Sequence, residues 1–437
     1  MHQRHYSASL FIFICTFFLT YHAKTQDVLS DKIYKSSIKS VKFHMYGDQL
    51  GYPIINLNGS DRLELHFDDM DGDVKSYYYT YQLCNADWTP AMYSQFDYIK
   101  GFFQNRISTY RLSNVALTKY THYQAFLPEQ NSFPSKSGNY VLKVFLNGNE
   151  SNIVFTKRFL VVDSKTGINA QIQQPLNATL MRTHHKIQFS LETSALQITN
   201  PRQEIKVVIL QNYRWDNPIK DIQPTFNRGN VLEYNTENDC IFPGYREWRW
   251  LNLSSFRLQS DRVDSAHYTN KTTEIFVKPD GDRKKIPYYY YHDQDGMYYI
   301  GGGIDNLNPY WQSDYATVHF TYVPPLNQFI KDKELYLYGE LTNYELNDNS
   351  RMHFNSEKGV YEATLFLKNG YYDFSYALKD KKGNIELIDN NYWETENQYT
   401  ILVYYRPFGG RADQLVGVSK LNSYANSAGI RFGTNNQ

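Results

Sequence analysis

The stretch RLELHFDDMDGDVKSYYYTYQLCNADWTPAMYSQFDYIKG, residues 62–101, decides the fold class. Leu63, Leu65 and Phe67 alternate with Arg62, Glu64 and His66, the period of two that marks a half-buried strand. The acidic run from Asp68 to Asp73, with Gly72 inside it, breaks the pattern with turn chemistry. Tyr77, Tyr79, Tyr81 and Leu83 then share one face of a second strand, Ser76 to Cys84. Together these read as a β-hairpin that runs into a polar loop, Asn85 to Pro90.

Outward from this stretch the same pattern repeats. Strands are expected at Ile38–Met45, Tyr120–Phe126, Tyr140–Leu146 and Val154–Val162, with Asn147-Gly148 a strong hairpin signal between the last two. Further on they are expected at Ile187–Leu191, Ile205–Leu210, Arg246–Asn252, Glu274–Lys278, Met297–Ile300 and Thr317–Val323. Ile205–Leu210 is nearly continuous in apolar residues, which suits a strand covered on both faces. The last group is Leu335–Gly339, Val360–Leu367, Tyr371–Ala377 and Tyr399–Tyr405, with Asn369-Gly370 read as a hairpin turn. No segment of 12 or more residues carries a helical period. The fold class is therefore all-β, and 437 residues suggest three units at ~100–200 residues each. Asp163 to Gly167 reads as a linker and Pro324-Pro325 as a stiff boundary. The expected division is three tandem β-sandwich domains of immunoglobulin or early-set type at 26–163, 164–324 and 325–417, then a flexible tail at 418–437.

Residues 1–25 read as a signal peptide. Arg4 and His5 precede the apolar run Ala8–Thr20, which is short for a membrane span. Cys15 lacks the small residues that precede a lipidated cysteine. Cys84 and Cys240 remain after cleavage. They fall in different expected domains, so two buried free thiols are the plainer reading and a disulfide the alternative. Lysine plus arginine and aspartate plus glutamate number 45 each, so no basic field points to nucleic acid or anionic lipid. The 40 tyrosines fit strand faces and contact surfaces alike.

No constellation of catalytic type stands out. Counted from Asp69, Gly72 falls at position four and Thr80 at twelve, so the acidic run is not an EF-hand and reads as a turn. His184 and His185 are adjacent in a strand and point to opposite faces. Gly301 to Gly303 lacks the helix that a phosphate cradle needs. No catalytic residue, metal site or cofactor is expected. Tyr338–Tyr344, Arg351–Phe354 and Gly359–Phe374 resemble the early-set modules of starch and glycogen enzymes, with Tyr344 where tryptophan is usual. That resemblance implies either a core role for these aromatics or sugar stacking.

Taken in order, LELHFDD (63–69), CNADW (84–88), THYQAFLP (121–128), SGNYVLKVF (137–145), KRFLVVD (157–163), NPRQEIKVVILQN (200–212), SDYATVHFTY (313–322), GVYEATLFLKNGYYDFSY (359–376) and ETENQYTILVYYRPFGGRADQLVG (394–417) resemble the plug protein family of the type IX secretion system of Bacteroidetes. The resemblance implies a non-catalytic periplasmic protein at the inner face of the outer membrane. Its partner would be the translocon barrel, whose pore it closes when no cargo is engaged, with no insertion into the membrane itself. An exported carbohydrate-binding protein is the alternative. Contact residues are expected in two polar loops, at Asn85, Asp87 and Trp88 and at Arg406, Pro407, Phe408, Arg411 and Asp413, because loops on rigid scaffolds carry contacts. The competing reading makes both loops fold-determining turns.

Overall fold

A computed structural model describes residues 29–301 and 308–424. The expected signal peptide lies outside the described residues. Among those described, helix is confined to short turns and the rest of the regular structure is strand, so the all-β expectation holds.

The first unit is a sandwich. One sheet runs in the order Lys32–Ile33, Ile153–Val162, Gly138–Leu146, Tyr77–Cys84, Asn105–Arg106, with Ile54–Asn56 added parallel to Ile153–Val162. The other runs Ile38–Met45, Leu63–Asp69, Thr121–Leu127, Thr109–Leu112. Between them lies a core rich in aromatic rings: Phe67 stacks on Tyr123 with centroids 5.1 Å apart and meets Tyr77 edge-on at 5.1 Å. Such ring pairs add to area burial, which makes the tyrosine-rich faces core rather than contact surface. Asn147 and Gly148 both take positive φ and join neighbouring antiparallel strands, as expected.

The expected hairpin of residues 62–84 is corrected. Leu63–Asp69 pairs with Ile38–Met45 and Thr121–Leu127, whereas Tyr77–Cys84 pairs with Gly138–Leu146 and Asn105–Arg106. The acidic turn is an arch between two facing sheets. Alternation tells which side chains are buried but not which strand lies alongside. Asn369-Gly370 is corrected in the same way: Val360–Lys368 pairs with Tyr315–Tyr322 in one sheet, and Gly370–Asp380 with Arg249–Asn252, Tyr298–Ile300 and Lys333–Tyr338 in the other. Leu63–Asp69 is also buried throughout rather than half-buried.

The expected boundary at 324/325 does not follow the sheets either. Tyr315–Tyr322 pairs along its whole length with Val360–Lys368. Meanwhile Ile205–Gln211 pairs with Gln398–Tyr405, which pairs with Gln414–Asn422. The second sandwich is therefore discontinuous. Its other sheet contains Gly167–Gln173, His184–Glu192, Val231–Tyr234 and Phe226–Arg228, with Ile241–Pro243 beside His184–Glu192. The third sandwich, from Arg249–Asn252 to Ile385–Leu387, is inserted into it rather than following it. Pro324-Pro325 is a turn inside the inserted unit, between strands of its opposite sheets. The expected flexible tail begins inside a strand, since Gln414–Asn422 closes the second sandwich; residues 425–437 lie outside the described ones.

Ile205–Gln211 is covered on both faces, as its apolar run requires. Ile205, Val207 and Ile209 face the second core. Val208 and Leu210 join Leu402 and Tyr404 against Cys84, Val141 and Leu160 of the first unit. Cys84 and Cys240 are free and buried.

Candidate functional site

The two loops expected to contact a partner lie side by side. Asn85 opens a tight turn: its N–H donates to the Thr89 carbonyl at 2.8 Å, and its carbonyl accepts from Trp88 N–H at 2.9 Å. Asp87 Oδ1 accepts from Thr89 N–H at 3.0 Å and from Thr89 Oγ1 at 2.6 Å, which stiffens the turn. Trp88 takes a φ of 67° that turns its indole inward, where it meets Trp215 edge-on at 4.7 Å and lies 4.5 Å under the Arg158 guanidinium. Its exposure is 4%.

The second loop is clasped to the first. Arg406 Nε donates to Asp413 Oδ1 at 2.7 Å, and its Nη2 donates to Asn85 Oδ1 at 2.6 Å. Asp413 also accepts from Ala86 N–H at 2.9 Å and from Lys206 Nζ at 3.1 Å. The Tyr404 hydroxyl donates to Asn139, whose amide donates to the Asn85 carbonyl at 3.1 Å. The buried carboxylate of Asp413 is fully used, as a charge out of water must be. Asn85, Trp88, Arg406 and Asp413 therefore hold the first unit to the second, the structural role that the competing reading gives such turns. Asp87, Phe408 and Arg411 are the exposed members of the set, and Pro407 is half-buried beside Phe408.

Phe408 is 99% exposed on a turn closed by Gly410 N–H donating to the Pro407 carbonyl at 2.8 Å. Gly409 there has a φ of 74°, which a side chain would resist. Arg411, three residues on, lays its guanidinium 4.2 Å over Tyr93 and comes within 3.9 Å of Asp97. That contact joins the Phe408 turn to a segment carrying exposed Met92, Phe96 and Phe102. Sequence reasoning missed these three. Apolar side chains without period in the polar loop MYSQFDYIKGFF were the available signal.

The acidic run reads as structural. Lys75 Nζ lies 2.8 Å from Asp69, 3.3 Å from Asp73 and against Asp71, so an ammonium already occupies the centre of those carboxylates. Asp68 points the other way, into the seam with the inserted unit. It takes hydrogen bonds from Lys368 Nζ and the Tyr315 hydroxyl at 2.5 Å each. His184 and His185 face opposite sides, and His185 is bound to the Tyr399 hydroxyl and the Trp393 carbonyl. Gly301 follows the strand Tyr298–Ile300; the next two glycines lie outside the described residues.

A cavity of about 490 Å³ opens where the three units meet, lined among others by Lys42, Tyr52, Arg158, Trp215, Glu340 and Tyr344. Its central charges are paired, with Lys42 Nζ 2.8 Å from both Glu340 oxygens. Tyr344 packs edge-on against Tyr338 and Trp248, and its hydroxyl donates to the Gly296 carbonyl at 3.2 Å. The ring serves packing, which removes the main support for sugar stacking.

Three comparisons complete the picture. A family model described as the type 9 secretion system plug protein 1st domain matches residues 38–163. A crystal structure of a hypothetical protein from Parabacteroides merdae ATCC 43184 superposes with a TM-score of 0.85 at 30% identity, covering 90% of this chain and 98% of that one. No curated protein matches the chain.

Proposed function

Because the chain belongs to the plug family of the type IX secretion system, a family of non-enzymatic secretion components, we propose that it docks on the periplasmic opening of the outer-membrane translocon barrel and closes the pore while no cargo is engaged. It acts in the periplasm, held at the inner face of the outer membrane through that partner. The observation that carries the reading is the family match over the first sandwich, whose loops are clasped to the rest of the chain. A cover over a pore wide enough for folded cargo must be a stiff body, and the clasp and seam supply stiffness.

The end carrying Phe408, Met92, Phe96 and Phe102 is the part of the body best suited to the rim. Burying one such side chain contributes about 1.5–3 kcal/mol. A few anchors on polar loops give a seal that holds but can be released, with Asp87, Pro407 and Arg411 at its edge. The carbohydrate alternative has no observation in its favour, since Tyr344 is held by its neighbours.

The test is affinity capture of the chain from gently solubilised outer membranes, with antibiotic permeability measured in a strain lacking its gene. The barrel should co-purify, and the deletion strain should admit large antibiotics while cargo export largely persists. Capture without the barrel, together with unchanged permeability, overturns the proposal.

A further inference from the structure

The outer face of Leu63–Asp69 carries Glu64, His66 and Asp68 at a spacing of two, with His44 directly across from Glu64 on Ile38–Met45 and His122 across from Asp68 on Thr121–Leu127. Such a polar face would ordinarily meet water. Here it is covered: His44 is 2% exposed and His66 1%. Tyr310 lies flat on the His66 ring, with centroids 3.7 Å apart.

With the His66 and His122 imidazoles both neutral, as their burial favours, the hydrogen bonds assign the protons. Asp68 already takes hydrogen bonds from Lys368 and Tyr315 as a carboxylate, so at 2.7 Å it accepts from His122 Nδ1–H. His122 Nε2 is then an acceptor, and at 3.0 Å it takes the proton of His66 Nδ1–H. That leaves His66 Nε2 as a bare lone pair, yet it sits 2.8 Å from Glu64 Oε1, another acceptor. His44 ends in the same condition. Its Nδ1–H donates to the Met45 carbonyl at 2.8 Å, and its Nε2 has no hydrogen-bond partner. His44, His66 and Glu64 each bring a ligand atom within 4.8 Å of the others'. Three acceptors converge with no donor among them. A proton on His66 would answer one contact and leave His44 Nε2 unmet.

We propose that His44, Glu64 and His66 bind a divalent transition metal of the zinc class, as a site built into the first sandwich. Two imidazole nitrogens and one carboxylate oxygen suit zinc rather than calcium or magnesium, which take oxygen ligands. Bonds of about 2.0–2.1 Å in a tetrahedron place ligand atoms about 3.3–3.4 Å apart, so the Glu64–His66 contact opens by about half an ångström. The surroundings are those of a metal site. His66 passes its proton side through His122 to Asp68, and His44 gives its own to a backbone carbonyl. Glu64 is held by Gln124 Nε2 at 2.8 Å and Gly47 N–H at 3.2 Å. His44 also lines the central cavity, which offers entry and room for water as the fourth ligand. The metal joins two strands of the first unit, and its supporting chain runs through Asp68 to Lys368 of the inserted unit. The inference stands independently of docking at a barrel.

The experiment uses the mature chain without a polyhistidine tag, stripped with chelator. Zinc titrated by calorimetry should bind at one equivalent and raise the melting temperature, and cobalt should give tetrahedral absorption bands without thiolate charge transfer. Glu64→Gln and His44→Asn should each abolish the equivalent. His122→Asn should weaken it about 10- to 100-fold, while His184→Ala leaves it unchanged. Should the ligand variants fail to fold, an anomalous peak between His44 and His66 in zinc-soaked crystals of the unaltered chain carries the proposal. No bound equivalent in the stripped chain, an equivalent that survives loss of both His44 and Glu64, or a peak elsewhere overturns it and makes Glu64–His66 an ordinary ion pair.

Discussion

Replacing Lys368 by methionine tests whether the inserted unit is locked to the first sandwich. Lys368 ends the strand Val360–Lys368, and its ammonium is 1% exposed against an equally buried Asp68. It also donates to the Tyr310 carbonyl and stands 4.2 Å over the Tyr120 ring. Methionine keeps most of the volume and removes the charge. Asp68 is then left buried with only the Tyr315 hydroxyl and the His122 imidazole as donors. Removing one partner of a buried ion pair costs about 3–5 kcal/mol; with two donors remaining, a loss near the lower end, about 3 kcal/mol, is expected. The double variant Asp68→Asn/Lys368→Met removes both charges, and should recover most of that loss because neutral replacement of a buried pair is often harmless. The measurement is urea unfolding in chelator for the unaltered chain, both singles and the double, closed as a double-mutant cycle. Hydrogen exchange along Leu63–Asp69 and Tyr315–Tyr322 shows whether the loss falls at the seam. A Lys368→Met variant within about 0.5 kcal/mol of the unaltered chain, the range of ordinary surface changes, refutes the reasoning, as does a double variant less stable than the single.

Three further outcomes follow from side-chain placement. Phe408→Ala should leave the unfolding midpoint unchanged because the ring is 99% exposed, and should weaken retention on the barrel; Trp88→Ala should instead cost about 3–5 kcal/mol, as for a core aromatic. Asp295→Asn should stabilise the chain by about 1–3 kcal/mol at neutral pH, measured by denaturant midpoints. Burial, then the charges of Asp293, Glu396 and Asp373, hold the Asp295 carboxyl well above its usual range, its Oδ1 has no partner, and its φ of 53° is one that asparagine tolerates. A carboxyl raised in the folded state costs stability as pH climbs past its unfolded value near 4, so the advantage of the variant should grow from about pH 4 upward and vanish below it. Burial pushes the Cys84 and Cys240 thiols up to about 12, so a thiol reagent should modify neither until the chain is denatured.

Strand existence was legible because each inner face of a sandwich imposes a period of two, and Tyr77, Tyr79, Tyr81 and Leu83 all lie in the core as that pattern says. Pairing was not. A turn such as Asp69 to Ser76, or Asn369-Gly370, has the same chemistry whether it closes a hairpin or carries the chain across to the facing sheet. The polar face of Leu63–Asp69 misled for a related reason. Glu64, His66 and Asp68 look solvent-facing, and their cover, Tyr310, Tyr315 and Lys368, comes from more than 240 residues along the chain. The loops expected to meet a partner show the limit from the other side. Composition marks Asn85–Thr89 and Arg406–Asp413 as loops that do something, and they do meet, but Arg406, Asp413 and Asn85 spend their polarity on one another.

The insertion bears on how the proposed plug would let go. The third sandwich joins the second by two chain crossings, after Ile241–Pro243 and before Gln398–Tyr405. One crossing permits a hinge; two, placed beside each other, remove most of its freedom. The remaining freedom is opposed at the seam by Lys42–Glu340, Lys368–Asp68 and the Lys157–Asn343 hydrogen bond. Domains joined by small polar contacts move by default, whereas here opening the seam must break these paired contacts together. For the proposed plug, release therefore belongs at the outer surface, where Phe408, Met92, Phe96 and Phe102 would leave the barrel together, and not in an internal rearrangement. The expected signature is hydrogen exchange that slows on barrel binding at residues 91–103 and 406–411 alone, while the seam strands exchange equally slowly in the free and bound chain. Slowing spread across the seam would mean that docking reshapes the body, and would place release there instead.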